Sequence, residues 1–212
     1  MFRQGVNVIF VFAERKMLDK SEVKAFFDTR AAYWDDISLS DGNTIRKILD
    51  YANVKSGMDV LDVACGTGVL FPYCLERGVS SVTGVDISGE MTKIALEKYA
   101  AEPRIKVVCT DVEEAVFDRQ FDIVLVYNAL PHFSDAKRLI KKLSSFLKDG
   151  GRLTVAHGAS REEINACHKG SAEKVSLGLM SAEELKELFL PYFETDIVIS
   201  DETMYQVSGT KK

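Results

Sequence analysis

The feature that most constrains this chain is the run Val60-Leu61-Asp62-Val63-Ala64-Cys65-Gly66-Thr67-Gly68-Val69-Leu70. A short apolar stretch without alternation, beginning at Asp59, suits a strand buried on both faces of a parallel sheet. The glycines at its carboxyl end let the backbone approach a ligand where a side chain would collide with it. The pattern then recurs. Strands are expected over Ser81–Val85, Ile105–Cys109, Phe121–Val126 and Gly151–Ala156, with helices over Glu90–Ala101 and Asp135–Leu147 and a loop with a short helix after Cys109. Each parallel crossover needs a covering helix, so this spacing predicts a doubly wound α/β fold.

The flanks complete the plan. Val23, Phe26, Phe27, Arg30, Ala31 and Trp34 fall at helical spacing behind Ser21, which reads as an N-cap, and a second helix is expected over Asn43–Tyr51. Lys148-Asp149-Gly150-Gly151 reads as a helix stop and tight turn. Helices near Ser160–Cys167 and Ala182–Phe189 precede strand-like runs at Thr195–Ser200 and Thr203–Ser208, joined by Asp201-Glu202 as an antiparallel hairpin at one sheet edge. With no linker, repeat or low-complexity tract, 1–212 is expected to be one domain. Residues 1–55 would be an N-terminal extension and helical cap, 56–157 the core, and 158–212 the C-terminal helices and edge strands.

Composition narrows the function. With 46% hydrophobic and 28% charged residues in 212, the chain has an ordinary globular balance. Lys+Arg 27 against Asp+Glu 32 gives a net charge of −5, which offers no general pull on nucleic acid or anionic lipid. Cys65, Cys74, Cys109 and Cys167 form no C-x-x-C pair, which fits a reducing, cytoplasmic setting. The apolar run Val8–Ala13 behind Arg3 is too short to span a bilayer; it reads as an upstream extension, an extra strand or an oligomer contact, and a homodimer is the expectation drawn from it.

Two acids follow the glycine turn at matching places. Asp86 ends the second strand about 20 residues after the glycines, where a carboxylate can accept from both ribose hydroxyls. Asp111 follows the third strand, where it can accept from an adenine amino group. A nicotinamide cofactor is the competing reading. Its G-x-G-x-x-G fingerprint fails, because Phe71 stands where the third glycine would fall from Gly66, and Ala64 stands at the first position one step earlier. No P-loop motif and no G-x-S-x-G is present.

Asp62-Val63-Ala64-Cys65-Gly66-Thr67-Gly68, Asp86, Asp111 and Phe121-Asp122-Ile123-Val124 together resemble the ordered motifs of class I S-adenosylmethionine-dependent methyltransferases. The resemblance covers about residues 56–157 and is nearest the small-molecule branch that includes the ubiquinone and menaquinone methyltransferases; Lys148-Asp149-Gly150-Gly151-Arg152-Leu153 fits that branch too. It implies a Rossmann-like, seven-stranded sheet with a reversed last hairpin. S-adenosylmethionine would lie over Gly66 and Gly68, with Asp86 on the ribose and Asp111 and Val112 beside the adenine. Asp62, Ala64, Cys65, Ile87 and Met91 belong to the same expected cofactor set. Ala64 departs from the pattern at its first glycine.

Methyl transfer from a sulfonium asks the protein mainly to align the reactants and exclude water. Tyr127-Asn128-Ala129-Leu130-Pro131-His132-Phe133 resembles the segment lining the methionine end of the cofactor, with Asn128 and Ala129 contacting it through the backbone and His132 toward the acceptor. The alternative for His132 is a packing or capping histidine. His157 is the second catalytic candidate, at the end of the fifth strand. Together with His168 and Cys167 they raise a metal or proton-relay reading, but no short ligand spacing supports one, so separate rim residues are favoured and no metal is expected. Related enzymes use an N-terminal helix as a lid, which makes Tyr33 a candidate cofactor contact and Arg30 a weaker candidate for a carboxylate. Two readings remain beside a small-molecule methyltransferase: a nicotinamide-dependent oxidoreductase, and a cofactor-binding subunit without catalysis. An O, N, S or C acceptor is left open.

Overall fold

The computed structural model describes residues 17–37 and 41–212. The apolar run Val8–Ala13 lies outside them. Seven strands form one sheet: β1 (Asp59–Val63), β2 (Ser81–Asp86), β3 (Ile105–Cys109), β4 (Phe121–Tyr127), β5 (Leu147–His157), β6 (Phe193–Ser200) and β7 (Tyr205–Lys211). Their order is β3-β2-β1-β4-β5-β7-β6. The first five strands pair in parallel, and β7 is antiparallel to both β5 and β6. The expected Rossmann-like sheet is therefore present, with one refinement: the second strand of the hairpin is inserted beside β5, and β6 forms the edge.

Period-two alternation divides the core. Leu61, Val63, Val124, Val126, Leu153 and Val155 pack toward α6 (Ala136–Phe146) and α8 (Ala182–Phe189). Val60, Val82, Ile123 and Leu125 face the opposite layer, which includes Ile45, Ile48 and Leu49 of α3 (Gly42–Tyr51), Phe71 and Cys74 of α4 (Phe71–Glu76) and Ala95 of α5 (Gly89–Lys98). Leu61 and Val60 are both fully buried. Adjacent residues of one strand thus feed two different cores, and truncating Leu61 to alanine would cost roughly 2–5 kcal/mol.

Some boundaries differ from expectation for local reasons. The first helix, α1 (Lys20–Asp28), is capped by Asp19 rather than Ser21: the Asp19 carboxylate accepts from the Ser21 amide at 2.8 Å. After β3 the chain makes only turns, because the Asp111 carbonyl accepts from the Glu114 and Ala115 amides and the helix is not continued. The turn expected at Lys148–Gly151 lies within β5. Register shifts there between the pairs Phe121–Leu147 and Ile123–Arg152, and Gly150 takes φ +73°.

The topology sets the position of the site. From β1 the chain winds outward through β2 and β3, then returns to the other side of β1 at β4. Connections at the carboxyl ends of β1 and β4 consequently diverge and leave a crevice, as in other open α/β sheets. Over that crevice sits a cap made of α1, a short 3-10 turn (Ala31–Tyr33) and α2 (Trp34–Ile37). Val23 and Leu18 pack with Ala172 and Val175 from a 3-10 turn at Gly170–Val175. Between that turn and β5 lies α7 (Arg161–Cys167), with Ser160 and Glu163 forming a capping box.

Candidate active site

Gly66 begins the geometry. The turn after β1 uses left-handed backbone at Ala64 (φ +55°), Gly66 (φ +55°) and Gly68 (φ +87°). The first of these carries a Cβ, which costs about 1–2 kcal/mol in that conformation. The Gly66 amide donates to Asp86 Oδ2 at 2.9 Å, while Asp86 Oδ1 accepts from the Ser88 amide at 2.8 Å. Each Asp86 oxygen retains a further lone pair. Burial raises the Asp86 carboxyl above its ordinary range, opposed by the hydrogen bonds from Ser88 and Gly66.

A cavity opens over this unit. Ala64, Cys65 and Gly66 line it from β1, Asp86, Ile87 and Met91 from β2 and α5, Asp111 and Val112 from β3, and Asn128, Ala129 and His132 from β4. These are eleven of the fifteen residues singled out from the sequence. Asn128 is held at φ +53°, and its Oδ1 accepts from the Gly158 amide at 3.0 Å.

Four expected residues stand elsewhere. Asp62 lies outside the lining, 2% exposed, with Oδ2 unpartnered; burial and the nearby Asp86 charge hold its carboxyl well above the usual range. Gly68 is also outside, because it backs onto Phe71 and Tyr99: a Cβ there would come 2.7 Å from the Phe71 ring. Tyr33 is 45% exposed and outside the lining, since the 3-10 turn puts Trp34 inside instead. His157 does not reach the cavity. It is 1% exposed under the rim, edge-on to Tyr205, with both nitrogens unpartnered, and burial lowers its pKa to about 3. Arg30 likewise turns away, lying over the Phe26 ring at 3.6 Å.

The cap supplies residues that sequence reasoning missed. Phe27 and Trp34 line the cavity, their rings 5.4 Å apart. Phe27 belongs to α1 and Trp34 opens α2 beyond the intervening 3-10 turn, so helical spacing alone does not predict that the two rings meet. Polar clips hold the cap down. Lys20 pairs with Asp111 and, at 2.7 Å, with Glu113; Ser88 Oγ donates to Asp28 at 2.6 Å; Thr67 donates to Asp35 at 2.6 Å. Lys98 also reaches Asp35 at 2.9 Å.

At the opposite end, His132 Nδ1 lies 2.8 Å from the Val175 carbonyl. The carbonyl can only accept, so Nδ1 carries the hydrogen and Nε2 keeps its lone pair. Phe27 and His168 meet the His132 ring edge to face at 4.9 and 5.0 Å. Burial lowers the His132 pKa to about 4, helped by His168 and opposed by the Val175 bond. Among the described residues no group of three or more His, Cys, Asp or Glu is arranged to hold a metal ion.

The fold and this crevice define a class: an α/β protein that binds a nucleoside-bearing cofactor across the ends of β1 to β4. Residues 60–151 match the family described as Methyltransferase domain. The chain is 27% identical over 187 residues to malonyl-[acyl-carrier protein] O-methyltransferase of Priestia megaterium, covering 81% of this chain and 68% of that protein. It is 32% identical over 144 residues to ubiquinone biosynthesis O-methyltransferase of Coxiella burnetii, covering 64% and 61%. In fold it is similar to N-methyltransferase NodS from Bradyrhizobium japonicum in complex with S-adenosyl-L-homocysteine, with TM-score 0.71, 13% identity and coverage of 89% and 98%. Residues 60–151 thus carry a methyltransferase domain on the fold of the S-adenosylmethionine-dependent enzymes, which makes S-adenosylmethionine the cofactor to test against this site. The residues present fit that group. Gly66 leaves open the space between the turn and Trp34, whose Nε1 would lie 3.8 Å from an added Cβ, and Asp86 has lone pairs for two hydroxyls. Phe71, fully buried, occupies the position where a nicotinamide fingerprint needs glycine.

Proposed function

We propose that this chain transfers the methyl group of S-adenosylmethionine to a small-molecule acceptor held at the His132 end of the cavity. The reading rests most heavily on the Gly66–Asp86 unit, which couples the glycine turn to a ribose-binding carboxylate. When bound, the cofactor supplies an electrophilic methyl on a sulfonium. Asp86 would hold its ribose, Ile87, Asp111 and Val112 would flank the adenine, and the Asn128–Ala129 backbone would meet the methionine end. Phe27 and Trp34 would cover the site and exclude water.

A small acceptor is favoured because the cap restricts access and the net charge of −5 gives no attraction to nucleic acid. No helix among the described residues is long and apolar enough to cross a membrane. A cytoplasmic location, a single-domain organisation and a homodimer formed through Val8–Ala13 remain parts of the same proposal. The test is mass spectrometry of small-molecule extracts incubated with the protein and methyl-deuterated cofactor. New products three mass units above the unlabelled methylated species support the reading, and their absence despite cofactor binding contradicts it.

A further inference from the structure

The chemistry of the acceptor is written in the wall around His132, an argument that rests on the proposed transferase reading. The charged residues of the cavity lining are Lys20, Asp86, Asp111 and Glu113. Lys20, the lining's single Lys or Arg, is committed to Asp111 and Glu113 at the β3 end. The same lining contributes the apolar Leu18, Val23, Phe27, Ala129 and Phe133, of which Phe27 meets the His132 ring, with Ser134 tied to Leu18 by hydrogen bonds at 3.0 and 3.3 Å. A carboxylate entering there would lose its water and meet no cation of the protein, which is costly.

The wall does offer a hydrogen-bond acceptor. With Nδ1 committed to the Val175 carbonyl, His132 presents Nε2 as a lone pair. The nitrogens of His157 and Nδ1 of His168 are shut away without partners, but His132 Nε2 is not among these. Its ring belongs to the cavity wall, beside the flat apolar face of Phe27.

We propose that the acceptor is an uncharged hydroxyl compound with a flat apolar body, which packs beside Phe27 and donates its hydroxyl proton to His132 Nε2. The hydroxyl O–H bond breaks and its proton passes to Nε2. An oxygen electron pair forms the bond to the methyl carbon, while the carbon–sulfur bond breaks and leaves its pair on sulfur. The sulfonium charge disappears as the imidazolium charge appears, so the site carries one positive charge throughout and no net charge is created in an apolar space. The imidazolium returns its proton to solvent when product leaves. Val175 acts as a positioning residue through its carbonyl. Because its side chain packs against Leu18 and Val23, seating α1 and fixing the His132 tautomer are the same event.

The test uses the full chain with ring-15N histidine, loaded with S-adenosylhomocysteine, and two probes that share one ring system: 2-naphthol and 2-naphthoate. Loading is measured first, because failure to bind S-adenosylhomocysteine overturns the cofactor reading itself. In the loaded protein His132 is expected as the Nδ1–H tautomer. Its Nε2 resonance should move with 2-naphthol, which should bind more than about tenfold more tightly than 2-naphthoate. Both effects should vanish in His132→Gln while S-adenosylhomocysteine still binds. A resting Nε2–H tautomer, an unmoved Nε2 resonance, or equal or tighter binding of the carboxylate overturns the proposal and leaves the cofactor reading standing.

Discussion

The Gly66 amide donates to Asp86 Oδ2 at 2.9 Å, so the turn after β1 and the acid ending β2 form one rigid unit. The carboxylate shapes the turn and faces the cavity at once. Loss of that side chain is therefore expected to affect both cofactor affinity and local order.

Trp34 is the only tryptophan, and its indole lies over Gly66. Intrinsic fluorescence should consequently report cofactor binding without a label. Titration with S-adenosylhomocysteine is expected to change the emission saturably, and Trp34→Phe should abolish the signal while weakening binding. An emission spectrum indifferent to saturating ligand would refute the placement of the cap over the turn.

Ala64 sits at φ +55°, where glycine would be unstrained. Ala64→Gly removes about 1–2 kcal/mol of steric cost and adds roughly 0.5–1 kcal/mol of unfolded-chain entropy. Chemical denaturation should show a net gain of about 0.5–1 kcal/mol with S-adenosylhomocysteine affinity retained. A clear loss of stability would mean that the Ala64 methyl makes packing contacts that outweigh the strain.

His157 has a folded-state pKa of about 3, far below the ordinary 6.5. Between those values the unfolded chain binds the extra proton, so stability falls as pH drops from about 6.5 toward 3, by up to about 1.4 kcal/mol per unit. His157→Leu also removes two unpartnered buried nitrogens. It should flatten this part of the stability curve and leave S-adenosylhomocysteine binding unchanged, since His157 does not line the cavity. An unaltered acid limb would show that other groups, such as His132, govern it.

For His132 the same direction of shift has a kinetic consequence. Phe27 from α1, the Val175 carbonyl and His168 at the end of α7 surround it, and the lowering to about 4 keeps it neutral through the physiological range. With a hydroxyl acceptor, kcat should lose the contribution of His132 only as pH falls toward 4. A loss centred near 6.5 would show that His132 is solvated and unshifted.

Much of this arrangement was legible in the primary structure because it depends on local pattern. Val60 and Leu61 mark a strand buried on both faces, and Gly66 with Asp86 marks what its carboxyl end serves. The resemblance to enzymes with an N-terminal helical lid points to Tyr33, and its place at the end of the fifth strand points to His157. Those assignments left out the 3-10 turn that puts Trp34 inside and the rim packing that buries His157. The Lys20–Asp111 pair spans 91 positions, and the Val175 carbonyl carries no side-chain signature at all. Neither can be read from periodicity, because both arise only when distant segments meet over the crevice.

The most direct measurement is calorimetric titration of S-adenosylhomocysteine into the full chain and into Asp86→Asn, which keeps the side chain's shape and removes its charge. Micromolar binding to the wild-type chain, weakened about tenfold or more by the substitution, is the predicted result. Absence of binding to the wild-type chain, or equal affinity for both proteins, would contradict the cofactor site described above.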